Sequence, residues 1–103
     1  MVTIEEALQY LGIDYADEAV TNNVRRALNT AEKVLAGAVG SDLETYLPDD
    51  PRAKELLLIY LDDLYSERGV VSAKVGNATR RMVADMELQL RLELRQVKEA
   101  AGV

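Results

Sequence analysis

Cysteine and histidine are both absent from the 103 residues. Without cysteine there is no disulfide framework and no thiol nucleophile; without either there is no zinc finger and no imidazole acid–base machinery. Positive charge is in short supply too, with 12 Lys+Arg against 18 Asp+Glu and a formal charge of −6. That balance suits an adhesive nucleic-acid binder poorly, because phosphate contacts need clustered cations. The longest apolar run is Leu56 to Leu61, about a third of the length that a membrane span needs. Met1-Val2-Thr3-Ile4-Glu5-Glu6 has neither a basic n-region nor a hydrophobic h-region, so the expectation is a chain made in the cytoplasm, with no membrane partner. Asn77-Ala78-Thr79 fits a glycosylation sequon, but without a secretory signal the match is accidental.

What is present suits one globular domain over 1–103. Hydrophobic residues make up 49% and charged residues 29%, which is not a disordered composition. Compactness scaling puts the radius of gyration at about 13 Å. The charge is unevenly placed. Residues 1–63 carry 13 acidic and 5 basic side chains, and residues 64–103 carry 5 and 7, so the halves differ at −8 and +2. Such a two-ended molecule can stack head to tail or offer different faces to two partners; ordinary unevenness in a small chain is the plainer alternative.

Thr3-Ile4-Glu5-Glu6 reads as a capping box opening a short helix with Ile4, Leu8 and Leu11 on one face and Gly12 as its stop. Asp17 and Glu18 put negative charge at the positive end of a second helix. Its apolar series Val20, Val24, Leu28, Ala31, Leu35, Ala38 keeps helical spacing up to Gly40. Residues 41–50 form a polar linker from which Leu43, Tyr46 and Leu47 turn back onto the body; Leu47, before Pro48, is expected to be extended. Asp50-Pro51 is an N-cap followed by proline at the first helical position.

The third helix, Arg52 to about Arg68 and closed by Gly69, is apolar over more than the roughly 100° stripe of a surface helix. Either part of it meets another copy or a partner, or it is a central helix with Tyr60 and Tyr65 at the rim. A valine-bearing loop, Val70 to Gly76, follows, after which Asn77 can cap the next segment. There Met82, Val83, Met86 and Leu90 fit a helix, which is favoured over 78–86. Met86, Leu88, Leu90, Leu92 and Leu94 also alternate with polar residues, the period of a strand, although these residue types are good helix formers. The expected fold is therefore mainly α, a small bundle of about four helices with a long loop before a C-terminal segment left open to being partly β over about 86–95. Either way one leucine row is too much for a lone chain to bury. The candidate subunit or partner interface is Leu57, Leu58, Tyr60, Leu61 and Tyr65 with Leu88, Leu90 and Leu92.

Little suggests catalysis. Asp62 and Asp63 are neighbours on a helix and point about 100° apart, so they share neither a proton nor a metal unaided. Asp14, Asp17 and Glu18 lack the alternation, central glycine and terminal glutamate of a calcium loop. No glycine pattern cradles a nucleotide, no serine has a usual base, and a di-iron bundle needs histidine. No catalytic residue, metal ligand or cofactor is expected. Arg80-Arg81, with Lys74, Arg91, Arg95 and Lys98, is the basic cluster; interleaved acids suit it to a protein-facing or solvated role.

Several of these features, in this order, resemble the small head–tail connector proteins of long-tailed phages and prophages, a family also described as DNA-packaging proteins. The matching features are Val2-Thr3-Ile4-Glu5-Glu6-Ala7, Tyr10-Leu11-Gly12-Ile13-Asp14, the acidic turn at Asp17-Glu18, and the alanine-rich helix ending Ala38-Val39-Gly40. Asp49-Asp50-Pro51-Arg52-Ala53, Leu64-Tyr65-Ser66-Glu67-Arg68-Gly69 and Gln89-Leu90-Arg91 continue the match over residues 2–95. The chain departs from the family in lacking a proline over 69–77. The resemblance implies a helical, non-enzymatic part of the virion neck, made in the host cytoplasm and assembled as a ring of copies under the portal protein. Its further partners would be tail-completion proteins, with DNA passing through the channel without tight binding. Asp62 and Asp63 are the candidate channel-facing acids, since a lumen that repels phosphate lets DNA slide. The other reading is a small helical interaction module or regulator working through helix-in-groove contacts.

Overall fold

The computed structural model describes residues 1–66 and 77–102, except the side chains of Ser66 and residues 77–79. The expected loop at 70–76 and the stop at Gly69 lie outside these residues. Among the described residues five helices follow one another: α1 (Ile4–Tyr10), α2 (Glu18–Val39), α3 (Leu43–Tyr46), α4 (Pro51–Ser66) and α5 (Asn77–Ala100). No strand occurs among the described residues. The architecture is a small, mainly helical bundle.

Three of the helices, α1, α2 and α4, start where side chains satisfy their first amides, whereas α3 has no side-chain cap. Thr3 accepts from the Glu6 N–H at 3.1 Å, while Glu6 accepts from the Thr3 N–H at 2.9 Å, a complete capping box. α1 ends in a Schellman turn: Gly12, at φ 75°, donates to Gln9 and Ile13 donates to Leu8. Asp17 caps α2 by accepting from Val20 at 2.9 Å. Asp50 accepts from the Arg52 N–H at 2.9 Å and so caps α4, with Pro51 as its first residue. Asp49 takes the left-handed conformation (φ 55°) that turns the chain into this cap, a region Asp tolerates better than most residues.

The polar linker contains one element the sequence reading did not specify, the single turn α3. It buries Leu43 and half-buries Tyr46 and Leu47 against the core, the three side chains expected to turn inward. Leu47 leaves the helix at φ −131°, ψ 65°, short of full extension.

The core is built chiefly by α2 and α4, which pack along each other, with α5 laid against both and α1 closing one side. α2 contributes Val24, Leu28, Ala31, Leu35 and Val39; α4 contributes Ala53, Leu56, Leu57 and Leu61; α5 contributes Leu90 and Leu94. Ala31 and Ala53 are completely buried, small enough to let the backbones come close. Val39 takes the inward place that spacing had assigned to Ala38, which is half-buried. Each fully buried leucine contributes about 1.5–3 kcal/mol of apolar transfer.

Candidate interaction surface

The C-terminal segment is helical throughout, so the strand alternative over 86–95 is overturned. A helix turns 100° per residue, and it splits a row that alternates every second residue between opposite faces. Leu90 and Leu94 point into the core with Val83 and Met86 beside them, while Leu88 and Leu92 remain 47% and 49% exposed on the opposite face.

This sorts the eight interface candidates. Leu57, Leu61 and Leu90 are core residues, exposed by 1% or less, and cannot meet another molecule without unfolding. Their apolarity serves the chain's own interior, because α4 is covered by α1, α2 and α5 together. Leu58, Tyr60 and Tyr65 are half-buried and packed against the core, as expected of a rim. Leu88 and Leu92 are the two that stay exposed.

Ionic and hydrogen-bonded contacts hold α5 in place on both flanks. On one flank, Arg52 donates to Asp50 at 2.9 Å, to Glu93 at 2.8 Å and to Gln89 at 3.3 Å, bridging the start of α4 to α5. Its guanidinium holds the Asp50 carboxyl below its usual range, and its own proton is bound more tightly still. On the other flank, the Tyr60 hydroxyl donates to Glu87, Arg91 donates to the Ala38 carbonyl at 3.0 Å, and Lys98 pairs with Asp42 at 2.6 Å. Partial burial and the Glu87 carboxylate both push the Tyr60 hydroxyl up. The Asp42–Lys98 hydrogen bond lowers the acid and raises the base. The sequence reading missed these clamps. Gln89 and Glu93, four residues apart and thus on one side of a helix, were the available signal.

Between the two flanks lies an outer face carrying Arg81, Asp85, Leu88, Leu92, Arg95 and Glu99, all exposed. Elsewhere, Asp62 and Asp63 are exposed on α4. Tyr10, 42% exposed on α1, has its hydroxyl raised first by desolvation and then by Glu55 and Asp62, which marks an acidic α1–α4 edge. Of the basic cluster, Arg91 and Lys98 are engaged, Arg80, Arg81 and Arg95 are exposed, and Lys74 lies outside the described residues.

Shallow concavities among the described residues include one of about 230 Å³ beside Met1, Leu35 and Leu43, one of about 380 Å³ beside Gly40, Arg91 and Lys98, and one of about 310 Å³ beside Ala27, Thr30 and Leu64. Among the described residues no group of three or more acidic, His or Cys side chains is placed to hold a metal, and no helix is long and apolar enough to cross a membrane. No protein-family model, curated protein or solved structure matches the chain.

Proposed function

We propose that the chain is a structural head–tail connector of a tailed phage or prophage, a non-enzymatic adaptor that forms a ring beneath the portal. In this role it joins head to tail and continues the DNA channel in the virion neck. One observation carries the reading: a single small molecule offers two unlike exposed surfaces, the leucine-bearing face of α5 and the acidic α1–α4 edge. A ring needs heterologous contacts between different surfaces of identical copies, and an acidic wall suits a channel through which DNA must slide. The order of motifs from Val2 to Arg95 supports the same reading.

Light scattering and electron microscopy of the chain mixed with the portal protein test it. The expected result is a closed ring seated on the portal; a strict monomer that ignores the portal contradicts it. The channel-facing role of Asp62 and Asp63 has its own test. Asp62→Asn with Asp63→Asn should alter DNA retention or ejection by assembled particles, and unchanged behaviour removes these residues from the lumen.

The exposed Leu88–Leu92 pair also suits the second reading, a helical module docking into a partner's groove. Saturable binding of one defined peptide by a monomer would favour it. Tight, salt-sensitive duplex binding would contradict both readings.

A further inference from the structure

The outer face of α5 has an internal order that neither reading uses. Its six residues follow one another at alternating steps of four and three, the spacing of a coiled-coil seam. They span about 27 Å of helix at 1.5 Å per residue. The pattern is symmetric about Leu90: Leu88 and Leu92 lie two residues either side, Asp85 and Arg95 five, Arg81 and Glu99 nine. At each distance the members are alike in apolarity or opposite in charge.

We propose that this face pairs antiparallel with the same face of a second copy, across a two-fold axis midway between Leu88 and Leu92, at the level of Leu90 but on the outer side of the helix. Antiparallel pairing sets Leu88 against the second copy's Leu92 twice over, forming a four-leucine centre. Asp85 then meets the second copy's Arg95, and Arg81 meets its Glu99, each pair occurring twice, as an isologous contact requires. A parallel pairing would oppose Asp85 to Asp85, Arg95 to Arg95, Arg81 to Arg81 and Glu99 to Glu99. Charge therefore selects the antiparallel arrangement by penalising the other.

Within its own chain the face is unspent. Among the described residues no side chain of Arg81, Asp85, Arg95 or Glu99 makes a hydrogen bond or ion pair. Arg91, the flanking cation that would otherwise approach its counterpart beside the axis, is turned back onto the Ala38 carbonyl. The clamps from Arg52 and Tyr60 fix the helix, so little ordering remains to be done on docking. The pairing rests on α5 alone and does not depend on the connector reading. Should the chain build a ring, the dimer is the form in which it waits, its leucines covered.

Sedimentation equilibrium of the full chain tests the pairing, with circular dichroism to confirm that each variant is folded. The wild type is expected to show a reversible monomer–dimer equilibrium. Asp85→Arg and Arg95→Asp should each weaken it by about tenfold, because symmetry makes every substitution count twice. Mixing the two variants in equal amounts should restore dimerisation, since the heterodimer has both ion pairs, one with the native signs and one with them reversed. A wild type that stays monomeric, single variants that associate as well as the wild type, or a mixture without rescue would each overturn the pairing. A larger assembly whose mass ignores Asp85→Arg overturns it too while leaving the connector reading standing. A dimer that exchanges as described beside a portal that recruits no ring does the reverse.

Discussion

At the residue scale, the positions that matter most are those where backbone conformation or charge leaves one good choice. Gly40 ends α2 at φ 148°, and a Cβ there would sit 2.8 Å from Leu94 Cδ2 and 3.3 Å from Asp42 Oδ1. Leu94 can shift, but the backbone conformation is one that side chains other than hydrogen rarely adopt. Gly40→Ala should lower stability by about 1–3 kcal/mol, read from chemical denaturation. Asp50 is the second such position, since its carboxylate caps α4 and holds Arg52. A carboxyl whose folded pKa is depressed contributes stability that is complete above its unfolded value, about 3.9. That contribution is lost as pH falls further, through the folded value. Unfolding scans should therefore show a stability loss setting in below about pH 4, and Asp50→Asn should make that loss shallower while lowering stability at neutral pH. With no histidine in the chain, stability should be nearly flat between about pH 5 and 8. These residue-scale features were largely legible. Thr3, Asp17, Gly12, Gly40 and Asp50-Pro51 all stand where capping chemistry places them. The reach of Arg52 to Glu93, 41 positions away, was not, because no local rule brings α4 and α5 together.

At the element scale, the lesson comes from α5. The alternation of leucine with charge over 86–95 is the pattern of a strand, yet residues such as Leu, Glu, Gln and Arg prefer helix, and propensity together with packing decided the outcome. A strand there would have needed a partner edge, and the neighbouring helices offer none. Instead α5 uses every fourth and third residue, Val83, Met86, Leu90 and Leu94, to close the core. The two leucines at Leu88 and Leu90 are therefore unlike despite their shared row. Leu90→Ala should cost about 2–5 kcal/mol, as for a fully buried side chain. Leu88→Ala should change monomer stability by no more than about 0.5 kcal/mol. Equal costs at the two positions would contradict the helical assignment. The same logic sorts α4: its apolar excess fits either an external partner or a central helix, and Leu57 and Leu61 are consumed internally by α1, α2 and α5. A periodicity argument counts the apolar faces of one helix and cannot count the neighbours that will cover them.

At the scale of the whole molecule, the radius of gyration is 14.7 Å and the extents are 47 × 30 × 18 Å, longer than the roughly 13 Å scaling for a compact chain. The length follows from α5, whose 24 residues alone reach about 36 Å. A long helix against a short bundle leaves one side uncovered, and that side carries the exposed leucines and the symmetric charges. The net charge of −6 likewise resolves into an acidic α1–α4 edge and a mixed-charge α5 face, which the bare sum conceals. That uncovered side, the outer face of α5, is the proposed assembly surface. Its most direct test is the solution mass, by light scattering over a concentration series, of the wild type beside a variant carrying Leu88→Glu and Leu92→Glu. Both positions are about half exposed, so the variant should fold as the wild type does. The expected result is a mass that rises with concentration for the wild type and stays at the 11.4 kDa of one chain for the variant; identical curves for the two proteins would contradict the account.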